Sequence, residues 1–376
     1  MSNIDRRRFL GSLGVAAAMG GGLRSLADGP AMRLPAAAQA PADGVITLLP
    51  SGQDDTAALQ AAIEQCFKTK SRLQLGQGLF SISKTLEINK CINFSLAGMG
   101  AANPSAKNGW AESGRALGTY IKWTGPAGGT MMMLKGAFWP VLTGLYLDAA
   151  NAAAVCIQLT TVDSWGLPTS GVRLRDVRVA QATQAGIQFD TPPHPNGWNT
   201  DLSDFDSVIL DRCAVGIRVC NNQSVGHYWR RIANGCPIGI EFLQGGDVVI
   251  ERGWQDGPGR ADDTFFLTHG GGENAAQVQI GGIHLEHGML LDSRKSFGVV
   301  VAGIRGIQDC RSDTDAPPLC HFGHFTTATV MASQLKGALV AKPESRVAII
   351  GCTYVTASVS HPVRKLVRGT KKVQVI

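Results

Sequence analysis

Apolar positions recur along this chain with two periods, and the change between them falls within Asp54 to Ile88. From Asp55 to Phe67, Leu59, Ala62, Ile63, Cys66 and Phe67 return at helical spacing, behind acidic residues suited to an N-cap. From Leu73 the period is two: Leu73 and Leu75, then Leu79, Ile82, and finally Leu86 and Ile88. Gly76 and Gly78 interrupt the strands where a tight bend belongs. This order predicts a short amphipathic helix laid as a lid over the first coil of a β-solenoid. Without a lid, the end of such a stack exposes apolar side chains and unpaired backbone groups.

A longer repeat follows from Gly144. Each unit holds a strand, a turn, then Gly-Ile-x-hydrophobic or a relative of it. Aligned on Ile157, Ile187, Ile217 and Ile240, the steps are 30, 30 and 23 residues. Strands over Val299 to Ile304, Ala338 to Ala341 and Val347 to Gly351 continue the series less regularly. Four residues before each aligned isoleucine stand Ala153, Thr183, Cys213 and Cys236. These small side chains suit an inward position at a tight corner, so Cys213 and Cys236 are expected to stack on neighbouring coils.

The run Asp54 to Ile63, followed by a strand, glycines, Ser81-Ile82-Ser83, Leu86 and Ile88, resembles the start of the pectate-lyase-like superfamily. That resemblance implies a fold: an all-β, single-stranded right-handed parallel β-helix with a short N-terminal capping α-helix. It implies a reaction only loosely, since one such scaffold hosts hydrolases, lyases, epimerases and tailspikes.

Composition agrees with a solenoid. The 376 residues are 44% hydrophobic and only 6% aromatic, with 46 glycines. The formal charge of +6 falls to about +3 once residues 1–38 are set aside, too little to argue for nucleic acid. Those residues read as an address. Asp5-Arg6-Arg7-Arg8-Phe9-Leu10-Gly11 resembles a twin-arginine export signal, and the glycine-rich stretch after it is poorly suited to span a membrane. The expectation is a signal peptide and linker over 1–40 and one β-helix domain over 41–376. It implies passage through the twin-arginine export machinery to a periplasmic or secreted location, and no membrane association after cleavage. Nine cysteines leave at least one thiol unpaired within the chain, and Cys310 with Cys320 flank a loop that a disulfide could close.

Long insertions follow the Gly-Ile strands, so they are expected on one side, walling a groove. Its floor reads Gln158, Gln188, Arg218, Glu241, and its walls carry Trp165, Trp198, Tyr228 and Trp254. Aromatics stack on sugar faces and arginine pairs with carboxylates, so the expected partner is a polysaccharide. Asn199-Thr200-Asp201 and Gly226-His227 resemble polygalacturonase-type hydrolases. The aspartate pair of that pattern is absent, and the match precedes the wrong strand type, so its catalytic set does not transfer.

The acids placed by the repeat are Asp190, Asp201, Asp204, Asp206, Asp211 and Glu241. The expected catalytic residues are Asp201, Asp204, Glu241 and His227, the last as a proton shuttle. The expected substrate-binding residues are Gln188, Arg218, Arg230, Trp198 and Tyr228. Hydrolysis is favoured over elimination. An epimerase, or a binding or envelope-assembly protein without chemistry, are the alternatives. No cofactor motif is present; a lyase could use calcium at Asp201, Asp204 and Asp206. His284, Glu286 and His287 form a second cluster, without the helical zinc arrangement.

Overall fold

The computed structural model describes residues 44–101, 118–161, 168–189, 200–220, 224–244, 246–255, 260, 262–269, 276–311, 318–356, 359–361, 367–368 and 373–375. Side chains are described as far as residue 353. The expected signal segment, Trp165, Trp198 and Asn199 lie outside these residues.

Among the described residues there is one helix, Thr56–Thr69, and it buries Leu59, Ala62, Ile63 and Cys66 against the first coil. Its acidic neighbours work differently from the expectation. The Asp55 side chain makes no cap bond. It accepts the Ser51 and Ser81 N–H groups at 2.8 and 3.1 Å, tying the helix start to the sheet. Asp54 accepts the Thr56 N–H at 3.0 Å, and its bonds from Ser83 and Thr56 hold its carboxyl down at about 2. One inward position also shifts. Leu79 is exposed while Phe80 and Ile82 are buried, because the bend through Gly78 (φ 125°) resets the alternation.

The rest is a right-handed coil of parallel strands capped by that helix, with one antiparallel pair, Thr353–Thr356 and Val359–His361, near its far end. Faces one and two are joined in the middle coils. There the strands Val141–Asp148, Arg173–Ala180, Asp204–Asp211, His227–Gly235 and Asp247–Gln255 each bend and cover both. Face three is the eleven-stranded sheet holding the Gly-Ile strands. The bend between faces one and two falls at stacked positions Gly144, Asp176, Ser207, Arg231, Arg252, Gly282, Gly306, Ala332 and Gly351. All are left-handed, with φ between 47° and 63°.

The repeat keeps its predicted register. Ile157, Ile187, Ile217 and Ile240 pair in sequence on face three. Cys156 precedes Ile157, but the glycine before each of the other three, Gly186, Gly216 and Gly239, is required by crowding. A Cβ on Gly216 would meet the Gly239 carbonyl at 2.5 Å and Leu210 at 2.6 Å. Cys213 and Cys236 do stack, with the Cys213 N–H 3.3 Å from the Cys236 sulfur. The Cys310–Cys320 disulfide does not form: Cys310 is exposed, and Cys320 is fully buried among core residues.

The interior is apolar over most of its length, with an aromatic stack of Phe189, Phe205, Trp229, Phe242 and Phe266 at its centre. Farther along, polar groups enter it in pairs, although the buried Gln255 Nε2 has no hydrogen-bond partner. Asn234 donates to Gln255 at 2.6 Å, and Arg311 grips buried Asp309 through two bonds of 2.8 and 2.7 Å.

Candidate functional site

The predicted floor exists in register. Gln158, Gln188, Arg218 and Glu241 succeed one another along face three. Glu241 is nevertheless unsuited to the catalytic role expected of it. It is only 6% exposed, and its oxygens take Arg218 at 2.6 Å and His269 at 2.9 Å. It is a charge-compensated pillar of the face, with no oxygen directed at a ligand.

His227 is corrected more completely. It begins a strand, not a loop, and its ring is buried, stacked on Trp229 with centroids 5.2 Å apart. The bonding network fixes its tautomer. Trp229 donates to Ser203 Oγ at 2.8 Å, so that hydroxyl can give its proton to His227 Nδ1 at 2.7 Å. Ser224 donates its own proton to the Thr200 carbonyl, so it accepts from His227 Nε2 at 3.0 Å. Both ring nitrogens are occupied, and burial holds the ring's pKa down at about 3. This is a neutral core histidine and not a proton shuttle.

Asp201 sits at the turn into face one, where Ser170 Oγ donates to it at 2.6 Å and its carbonyl accepts the Gly171 N–H at 3.0 Å. It joins adjacent turns and does not meet Asp204. Asp201, Asp204 and Asp206 therefore do not gather as a calcium site, and arginines occupy the oxygens of the latter two. Among the described residues no group of three or more histidine, cysteine, aspartate or glutamate side chains is arranged to hold a metal.

The structure concentrates charge on face one, whose strands follow those of face three in sequence. Three polar–apolar–polar triplets lie in register there, Arg173-Leu174-Arg175, Asp204-Phe205-Asp206 and Tyr228-Trp229-Arg230, and Val249-Ile250-Glu251 continues the register with Glu251 as its polar member. The middle residue of each packs inward, so the flanking pair points away from the core, although Asp206 is only 6% exposed beneath its arginines. Arg175 meets Asp204 at 2.9 Å and Asp206 at 3.7 Å. Arg230 meets the same two at 3.4 and 3.6 Å, and Arg231 grips Asp206 at 2.6 Å. These guanidinium groups, Arg231 first, hold the Asp206 carboxyl below its ordinary range. Tyr228 donates to Glu251 at 2.6 Å, which raises its phenol pKa, and Arg230 lies 5.2 Å from the centre of its ring. Arg305 reaches Glu251 at 3.7 Å, and Arg173 stands 5.6 Å over the half-exposed Trp139.

Of the expected site residues, the structure thus brings together Asp204, Tyr228 and Arg230. Gln188, Arg218 and Glu241 lie on face three, and His227 is inside. Arg175 and Glu251 were missed, and Asp206 was noted only as part of an acidic cluster. Their signal was the alternation of charge between successive strands of face one, Arg175, Asp206, Arg230 and Glu251 in register. In the second cluster, His284 bonds Glu286 at 3.2 Å and meets the edge of Trp254.

No protein-family model matches the sequence, and no curated protein matches it. Its structure is similar to the N-terminal fragment of bacteriophage Phi29 gene product 12, at TM-score 0.52 and 11% identity, covering 86% of this chain and 63% of that one. It is also similar to the A-module of the mannuronan C-5 epimerase AlgE4 of Azotobacter vinelandii, at TM-score 0.49 and 14% identity, covering 90% and 95%. An alginate lyase from Paenibacillus follows at TM-score 0.47 and 11% identity, covering 88% and 99%. At these identities the likeness shows a shared parallel β-helix and nothing finer.

Proposed function

We propose that the protein is an exported enzyme acting on an acidic polysaccharide, bound along face one across the coils that carry Asp204, Tyr228 and Glu251. The observation that carries this reading is the charged strip itself. Arginines and carboxylates alternate over successive coils, beside a tyrosine, at a spacing of roughly 4.8 Å per coil. Such a strip offers repeated contacts to a chain whose sugars carry carboxylates and hydroxyls. Solved β-helices of similar fold include an alginate lyase and a mannuronan epimerase.

Elimination is the form of chemistry the geometry favours. Arg230 neutralises a uronate carboxylate, which stabilises the enolate formed when the neighbouring proton leaves. Asp204 and Tyr228 are cross-strand partners on adjacent coils. Asp204 acts as the base. Tyr228, kept protonated by Glu251, donates to the departing glycosidic oxygen. Epimerisation uses the same base and carbanion, with the proton returned to the opposite face.

A second reading, hydrolysis, rests on the Asp204 and Asp206 carboxyls, two residues apart on one strand, with Asp206 only 6% exposed beneath Arg231. It needs a protonated carboxyl. The carboxyl that burial raises, Asp309, lies inside the coil.

The test is a panel of polyuronates and neutral polysaccharides, assayed for reducing ends and for the ultraviolet absorbance of unsaturated ends. Under elimination, Asp204→Asn and Tyr228→Phe each lower both signals by about 10²–10⁴-fold. Under hydrolysis, reducing ends appear without absorbance, Asp204→Asn and Asp206→Asn abolish them, and Tyr228→Phe leaves them. Full turnover in all three variants would sink both forms.

A further inference from the structure

Along the same edge, four coils beyond Tyr228, stands an aromatic pair that this chemistry does not use. Register runs from Arg230 through Glu251, Gly281 and Arg305 to Met331. That is roughly 19 Å at the ordinary strand spacing. At the turn into face one, Phe297 and Phe325 sit on adjacent coils, 60% and 55% exposed. Their ring centroids are 4.9 Å apart and their planes tilted by 57°. Phe325 holds φ at 54°, whereas Gly298 takes the left-handed conformation on the preceding coil. A bulky residue in that region is disfavoured, and this one recovers little by burial.

Beside Phe325 opens a cavity of ≈ 410 Å³, bounded also by Thr327, Pro343, Glu344 and Arg346. Arg346 is the cross-strand partner of Thr327. His324 Nδ1 lies 2.9 Å from Glu344, positioning the carboxylate at the rim. The setting combines an apolar ring face with a carboxylate, a guanidinium and a hydroxyl. The C–H face of a sugar packs on such a ring, and its hydroxyls match those polar groups. The volume falls within the range of small-ligand sites, roughly 300–1,000 Å³.

We propose that Phe297 and Phe325, with Glu344 and Arg346, form a distal subsite that grips the same acidic polysaccharide chain four coils from Tyr228. The inference rests on the polysaccharide reading above and extends it to chain length. Arg346 takes a uronate carboxylate, and the phenyl faces take the sugar ring. A chain too short to span from Tyr228 to Phe325 gains nothing from it.

Affinity electrophoresis tests the subsite without relying on turnover. Wild type, Phe297→Ala/Phe325→Ala, Phe297→Trp/Phe325→Trp and Asp204→Asn are run in gels cast with sodium alginate, polygalacturonate or dextran. Circular dichroism and thermal midpoints serve as folding controls. The alanine pair is expected to weaken retardation by the polyuronates at least about tenfold. The tryptophan pair is expected to keep it, and Asp204→Asn serves as the background in which the gel polymer is not degraded. Trisaccharides of the same uronates, added as competitors, should displace wild type and the alanine pair equally.

Retardation of the alanine pair equal to wild type overturns the subsite. So does absence of retardation of wild type in every gel. A wild-type oligomer that becomes a monomer in the alanine pair overturns it too, since the patch is then a subunit interface. Loss of binding in the alanine pair, with full turnover in Asp204→Asn, leaves the subsite standing and removes only the catalytic assignment.

Discussion

At the scale of single residues, His227 illustrates how burial decides a role. Its ring carries one proton and has two hydroxyl partners, and water cannot reach it. The unfolded ring titrates near 6.5 and the folded one at about 3. The folded state therefore binds fewer protons between those values, so stability is complete above about 6.5 and falls as acid is added. The loss approaches about 1.4 kcal/mol per pH unit inside the window. His227→Phe removes that dependence, while costing roughly 1–3 kcal/mol at neutral pH for the serine hydroxyls it leaves short of a partner. Urea unfolding of both proteins at neutral pH and at mildly acidic pH is the check. Parallel losses on acidification would remove His227 from the account.

At the scale of elements, the recurring glycine is the informative residue. Gly186, Gly216 and Gly239 lie where face three begins against the backs of Val179, Leu210 and Asn234. Gly216→Ala places a methyl group inside both a carbonyl and a leucine, so a loss of about 1–3 kcal/mol in urea unfolding is expected, with the fold retained. An unchanged midpoint would show that the corner relaxes freely. This element was readable in advance because period-two strands and Gly-Ile units impose a register that one residue of slip would invert. The site was less readable. Outward residues are polar on every face, so periodicity cannot choose between Glu241 on face three and Asp204 on face one. His227 was misjudged because the segment before it reads as loop, while its alternation with Trp229 places both rings inward.

At the scale of the whole molecule, the stack depends on its ends. The helix Thr56–Thr69 closes the first coil with Leu59 and Ile63, both essentially inaccessible to solvent. Ile63→Asp opens that seal. It is expected to lower stability by several kcal/mol and to drive concentration-dependent association through the uncovered end. Thermal unfolding and size-exclusion chromatography over a range of protein concentrations measure the two effects. A monomer of unchanged midpoint would mean that the helix is ornament rather than cap. Among the described residues no helix is long and apolar enough to cross a membrane.

The left-handed bend between faces one and two carries a cost that is unevenly distributed. Glycine takes it without penalty at Gly144, Gly282, Gly306 and Gly351. Asp176, Ser207, Arg231 and Arg252, on the consecutive coils that carry the charged strip, and Ala332 beyond it hold it with side chains. Each forced residue forfeits roughly 1 kcal/mol relative to glycine. Selection for robustness alone would have spread glycine along the whole line. Arg231, which clamps Asp206, marks what is gained by refusing it. Glycine at position 231 would relax the bend and release Asp206 in the same step.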